Sequence, residues 1–370
     1  MNEIKTAALS DHLYNKAAFR RIPLSGTFEL SPLCNFACRM CYVRKTAAEV
    51  RSHSRAMLDY DDWIRIAREG KEQGLLFLLL TGGEPLLWPR FWELYAELVD
   101  MGMLVAINTN GSLIDEEAIA RFRQRPPRRV NITLYGGSDE TYEALCGAKG
   151  VFGRVEGAVR SLKAAGISVK LNCSLTSHNA ADLEAITAFA RELDLHLDLA
   201  TYMFPPIRRD PDAIGVNDRF TPAETARFRV RGIELMQGAE AARGFLERVK
   251  RGCAEPPGLE EGCYDPVDGR IRCRAGSASF WITWDGLLTA CGMMPKPQVD
   301  LTGKKFHDAW RELTEATAAL RLSGVCARCE NHQLCHPCAA MAAAETGSPE
   351  GVPQYLCHVA KELRRMADEI

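Results

Sequence analysis

The 370-residue sequence has no apolar run long enough to cross a bilayer; its longest, GLLFLLLTGG, is about half of what a spanning helix needs. The first residues, MNEIKTAALSDHLYNK, lack the apolar core of a secretory signal. An excess of either charge is missing as well: 46 Lys and Arg stand against 48 Asp and Glu. That balance offers nothing for nucleic acid or an anionic membrane surface to hold. Repeats and low-complexity tracts are absent. So are a phosphate loop of the G-x-x-x-x-G-K type, a metalloprotease helix motif, and any nucleophile–base signature around the eight histidines. Hydrolysis and ATP chemistry therefore have little support. A cytoplasmic protein is predicted, without membrane or nucleic-acid partners.

Cysteine, by contrast, is abundant, with 14 residues. The cytoplasm keeps thiols reduced, so their clustering points to metal or iron–sulfur ligation rather than disulfides. Three of them, Cys34, Cys38 and Cys41, fall within ELSPLCNFACRMCYVRK. Three thiols cannot close into disulfide pairs, and they leave a tetrahedral metal one ligand short.

The surrounding sequence alternates short apolar runs with amphipathic stretches. Strands are predicted at 26–31, 75–80, 104–109, 130–135, 167–173 and 196–202, several of them apolar enough for parallel strands covered on both faces. Helices are predicted from Asp59 to Gly74, from about Phe91 to Gly102, from Arg154 to Gly166 and from Asp182 to Leu193, three of them stopped by glycine. Six βα units in series make an α/β fold, a partial (β/α)6 parallel barrel. Residues 221–250 read as one further helix, opened by the capping box Thr221–Glu224. A Pro/Gly-rich linker spans 253–269, and from Arg272 onward seven residues are cysteine. The organisation expected is an N-terminal segment (1–25), the barrel (26–235), a helix and linker (236–271) and a small cysteine-rich domain (272–370).

The triplet is spaced C-x3-C-x2-C on the loop after the first strand, where βα folds collect functional groups. A [4Fe–4S] cube held by three thiolates leaves one iron open to a small chelating ligand. The second strand runs into TGGEPLL, where Gly82 and Gly83 permit close backbone approach and Glu84 offers an acceptor for an ammonium group. Together these motifs resemble the radical SAM superfamily over residues 26–202. The resemblance implies that Cys34, Cys38 and Cys41 ligate a cluster whose open iron binds S-adenosylmethionine. It also implies that Gly82, Gly83 and Glu84 hold the methionine amino group, that Met40 lies against adenine, and that Thr133 meets the ribose. Reductive cleavage would give a 5′-deoxyadenosyl radical that takes hydrogen from a substrate C–H bond, with electrons from a donor such as flavodoxin or ferredoxin.

The C-terminal pattern runs Cys273, Gly286-x4-Cys291, Cys326-x2-Cys329-x5-Cys335-x2-Cys338 and Cys357. It resembles the SPASM extension of some radical SAM enzymes, which implies two auxiliary [4Fe–4S] clusters and three in all. Cys273, Cys291 and Cys338 would hold the first, with Cys263 as its candidate fourth ligand and Cys253 a lesser one. Cys326, Cys329, Cys335 and Cys357 would hold the second. Thiolates alone do not choose between iron and zinc, so zinc stands as the alternative at these sites, with His53 a possible fourth ligand beside the first triplet.

Family analogy favours a peptide or protein substrate. The alternatives are a small-molecule radical SAM dehydrogenase, a sulfatase-maturing enzyme and a non-enzymatic zinc or electron-carrier protein. The sulfatase-maturing reading is weakened by Gly292 standing where that branch carries Asp. With about 25 residues ahead of the first strand, leader binding is expected to use the main domains or a separate partner. Cys146 and Cys253, on loop-like segments, are the candidates for donating hydrogen to a substrate radical or capturing it. Cys173 reads as a buried apolar residue. Trp281 and Trp284 read as core of the small domain, His178 and Asn179 as a helix start. Tyr202, Arg208 and Arg209 read as a solvated loop that can meet a substrate carboxylate.

Overall fold

The computed structural model describes residues 2–254, 269–270 and 273–370, with side chains from Leu9 onward. Six strands pair in parallel in sequence order: β1 (Ser25–Glu29), β2 (Phe77–Thr81), β3 (Leu104–Thr109), β4 (Arg129–Thr133), β5 (Val169–Ser174) and β6 (Leu197–Ala200). Alternation along them decides what each face does. Phe28, Leu78, Leu80, Val105, Ile107, Val130, Ile132 and Leu171 are all buried and pack with the helices. The opposite face carries Thr27, Glu29, Asn108, Asn131, Thr133 and Asn172, residues that the period of two places together. A cavity of about 450 Å³ lies against this polar face.

The helices begin where the sequence offers caps. Asp59 and Thr221 accept from the N3 amide of Tyr60–Glu72 and Pro222–Gln237 and complete capping boxes. The others predicted are Phe91–Asp100, Phe152–Ala164 and Leu183–Glu192. The single helix expected over 221–250 is two, Pro222–Gln237 and Ala239–Lys250. Gly238 separates them at φ +95°, a conformation open to glycine and incompatible with a continuing helix. The last strand is shorter than expected because the chain turns away after Ala200 into YMFPP, where proline has no amide to pair. Several helices were not foreseen, among them Asn2–Arg20, Glu116–Gln124 and Asp139–Cys146, and, in the C-terminal region, Phe306–Ala318, Ala339–Thr346 and Gln354–Asp368.

The cysteine-rich region does not form a sheet of its own. β7 (Ser279–Ile282) adds in parallel to the free edge of β1, and β8 (Leu287–Cys291) and β9 (Met294–Asp300) follow antiparallel. One nine-stranded sheet results, in the order β6-β5-β4-β3-β2-β1-β7-β8-β9. Trp284 is buried as expected, but Trp281 is only half-buried and its indole donates to Glu29 Oε2 at 2.9 Å. A second core is built by Pro222–Gln237, Ala239–Lys250 and Gln354–Asp368 around Phe245, Val249, Leu334, Ala360 and Leu363. Among the described residues no helix is long and apolar enough to cross a membrane.

Candidate functional site

The loop after β1 carries the first three cysteines, and short-range bonds shape it. The Cys34 thiol accepts from the Phe36 amide at 3.3 Å and the Cys41 thiol from the Arg44 amide at 3.3 Å, while the Cys41 amide donates to the Cys38 carbonyl at 3.1 Å. Cys34 and Cys41 are half-buried and Cys38 is buried. Burial pushes the Cys34 thiol up to about 12 and raises Cys41 as well. A metal centre binds thiolate, so loading here must expel protons.

Gly82 and Gly83 do their work on this loop. The Gly83 amide donates to the Ser31 carbonyl at 2.6 Å and the Glu84 amide to the Leu33 carbonyl at 2.9 Å. A Cβ at Gly83 would stand 2.3 Å from the Leu33 carbonyl oxygen. The expected approach to a ligand is thus, first, an approach to the backbone that leads into Cys34. Gly83→Ala should cost about 1–3 kcal/mol in urea unfolding. It should also lower iron bound at the first triplet, since only movement of that backbone relieves the clash.

Glu84 is fully buried and has no face toward a ligand. Its carboxylate accepts from the Leu86 amide at 3.1 Å, the Thr109 hydroxyl at 2.8 Å and the Asn110 amide at 2.9 Å. The role expected for its side chain is corrected accordingly: it locks the end of β2 to the end of β3. Burial lifts its pKa to about 7 against these three bonds. Thr109-Asn110-Gly111-Ser112, which sequence reasoning missed, then reaches the cysteine loop. Asn110 Nδ2 donates to Asn35 Oδ1 at 2.9 Å, and Asn35 Nδ2 donates to Ser112 Oγ at 2.8 Å. The available signal was its position, a T-N-G-S run at the C-terminal end of a parallel strand. Met40 is half-buried against the core, and Thr133 ends β4 half-buried on the polar face.

Cys146 is not on a loop. It ends the helix Asp139–Cys146 and is fully buried, which leaves it no surface for a substrate. The Ala37 amide donates to its carbonyl at 2.7 Å and the Arg39 amide to the Leu145 carbonyl at 3.0 Å, so this helix end clasps Cys38 from both sides. Hydrogen bonds from the Cys146 thiol, and then the Tyr135 hydroxyl, draw the Cys38 pKa down against burial. Cys173 is buried on β5. His53 turns to the auxiliary region, with Nε2 at 3.1 Å from Asp285 Oδ2, and is not part of the thiol triplet. Asn179 bridges loops, donating to the Tyr135 carbonyl at 2.9 Å and the Ser174 carbonyl at 3.0 Å.

In the C-terminal region Cys326, Cys329, Cys335 and Cys357 come together from two short helical turns and the helix Gln354–Asp368, close enough that Cys329 adds to the raised pKa of Cys326, Cys335 and Cys357 beyond what burial does. Cys291 ends β8, and Cys273 is near enough to add to its raised pKa. Cys338 caps the helix Ala339–Thr346, its thiol accepting from the Met341 amide at 3.4 Å. Cys253 follows the helix Ala239–Lys250 and is half-buried. Cys263 lies outside the described residues.

The donors suit the groups implied. Soft thiolates select iron–sulfur or zinc, and the first set offers three beside a polar concave face. Among the described residues no three or more His, Cys, Asp or Glu side chains close around a single ion. A four-iron cube holds its thiolates farther apart than one ion does. Cys357→Ala should remove about four iron from a reconstituted total of about twelve, read by iron analysis.

Residues 28–190 match the radical SAM superfamily. The chain is 25% identical over 344 residues to the AdoMet-dependent heme synthase of Methanosarcina barkeri, covering 89% of this chain and 95% of that one. It is 28% identical over 349 residues to the mycofactocin maturase MftC of Mycobacterium ulcerans, covering 90% and 88%. Its fold superposes on Streptococcus suis SuiB bound to the precursor peptide SuiA with a TM-score of 0.68 and 17% identity, over 94% of this chain and 80% of SuiB. Three thiols at the open end of β1, backed by Gly83, Glu84 and Asn110, thus sit in a radical SAM domain over residues 28–190, and the C-terminal cysteine-rich region fits a SPASM domain.

Proposed function

We propose that this enzyme modifies a peptide or protein by abstracting hydrogen from one of its C–H bonds. The observation that carries this is the placement of the three-thiol loop at the rim of the polar concave face. That face continues along β8 and β9, where a second cavity of about 750 Å³ is walled by Arg208, Trp284, Met294 and Gln298. A cluster on Cys34, Cys38 and Cys41 would, when bound, supply the electron that cleaves S-adenosylmethionine reductively. The chain's own residues do the rest. Gly83 and Asn110 hold the cysteine loop in place, Glu84 ties β2 to β3, and the surrounding fold keeps water from the reacting atoms. Electrons would come from a carrier of the flavodoxin or ferredoxin class. The relatives MftC and SuiB support a peptide, since one is named a maturase and the other was crystallised with a precursor peptide.

A second reading is a small-molecule substrate, favoured by the heme synthase relative, which this chain covers almost end to end. Anaerobic enzyme given dithionite, S-adenosylmethionine and a peptide encoded beside its gene should form 5′-deoxyadenosine and leave the peptide short of hydrogen by mass spectrometry. Cleavage with an unaltered peptide, and turnover only on a small molecule, would select the second reading. An intact cofactor in every incubation would overturn both.

A further inference from the structure

Arg208 was expected on a solvated loop, yet its side chain is 14% exposed and its partner Glu29 is fully buried. The guanidinium meets the carboxylate with both arms, Nη1 to Oε2 at 2.9 Å and Nη2 to Oε1 at 2.8 Å. Nη1 also donates to the Gly292 carbonyl at 3.0 Å. Trp281 Nε1 takes the remaining side of Glu29 Oε2, and the guanidinium carbon lies 5.6 Å from the centre of the Tyr42 ring. Each contact has an address. Glu29 ends β1 five residues before Cys34, Tyr42 follows Cys41, and Gly292 follows Cys291. One side chain therefore touches the residue next to a ligand of the first centre and the residue next to a proposed ligand of the first auxiliary centre.

Burying an arginine is costly unless its charge and donors are met, and here Glu29, Gly292 and the aromatic wall meet them. A guanidinium so held cannot also receive a substrate carboxylate. We propose that Arg208, fixed by Glu29, is a positioning residue: it pins the Cys291 loop to the rim of the barrel and turns the positive end of a buried ion pair toward the first auxiliary centre. A dipole so oriented favours the more negative, reduced state of a cluster and raises its potential. The inference rests on Cys291 as an auxiliary ligand and is independent of which substrate is modified.

The test uses anaerobically reconstituted full-length enzyme, measuring iron content, the electron paramagnetic resonance spectrum and its redox titration. Cys291→Ala identifies the auxiliary signal by its loss, with about four fewer iron. If Cys291→Ala loses no iron, there is no centre to position and the proposal falls, while the proposed function stands. Arg208→Lys keeps the charge but not the fork, and should change the shape of the auxiliary signal or its occupancy. The double variant Glu29→Gln/Arg208→Met removes both charges without leaving either one buried alone. At a fixed potential its ratio of reduced to oxidised auxiliary centre should fall about threefold or more, equivalent to a downward shift on the one-electron scale. In both variants the signal of the first cluster should keep its response to added S-adenosylmethionine. Wild-type spectrum and potential in both variants would overturn the proposal. So would loss of every cluster together with cooperative unfolding in Arg208→Lys, which would make the pair a prop for the fold alone.

Discussion

Cys34→Ala is expected to abolish 5′-deoxyadenosine formation, lowering it about a thousandfold or more, while the chain stays folded. Cys34 is the member of the triplet that separates chemistry from stability. It is half-buried, and apart from the Phe36 amide its thiol has only weak contacts near 3.9 Å to Asn35 and Asn110. Removing it should cost no more than about 1 kcal/mol of stability. Cys38, in contrast, is buried against Cys146, so its truncation would also open a cavity. With two thiolates the cube lacks a ligand and the open iron loses its fixed position. Wild type and Cys34→Ala are compared anaerobically with dithionite and S-adenosylmethionine, with urea unfolding alongside. Equal cleavage by both would sink the assignment of this loop.

Glu84→Ala is the second large effect, and it is one of stability. The change strands the Leu86 amide, the Thr109 hydroxyl and the Asn110 amide in the interior, at about 1–3 kcal/mol each before relaxation. A net loss of about 3–5 kcal/mol is expected in urea unfolding of the metal-free chain. Glu84→Gln carries the pH signature. The folded carboxyl titrates near 7 against an ordinary value of 4.5, so between these values the native state binds more protons than the unfolded one. The contribution of Glu84 is therefore fully present below 4.5 and is lost as pH rises through 7, by about 3 kcal/mol. The wild type should therefore become less stable to urea as pH rises across that window. Gln, which does not titrate, should remove that part of the slope, so the two curves draw together as pH rises. Parallel curves would show that Glu84 is charged throughout.

Much of the barrel was legible because its signals are local. Apolar runs of strand length, capping residues and terminal glycines report on their own segments, and Leu104–Thr109 fell where it was expected. The cysteine spacings were legible for the same reason, since three thiols on one short loop share a site whatever the remainder of the chain does. Side-chain roles were less accessible. Glu84 read as a ligand contact because its motif says which strand end it occupies and nothing of the β3 loop that covers it. Cys146 read as lying on a loop because the short helix it ends has weak periodicity and lies 105 residues or more from the loop it clasps.

Local signals in the sequence thus placed three thiols on the loop after the first strand and set the order of the βα units. Only the tertiary structure decided that β7 pairs with β1, that Cys146 backs Cys38, and that Glu29 claims Arg208 across 179 positions of the chain. The physical reason is the range of the forces involved. Backbone propensity and hydrophobic period act within a few residues, whereas a buried charge finds its partner only after strand order has brought distant segments together and excluded the water that would otherwise have solvated both.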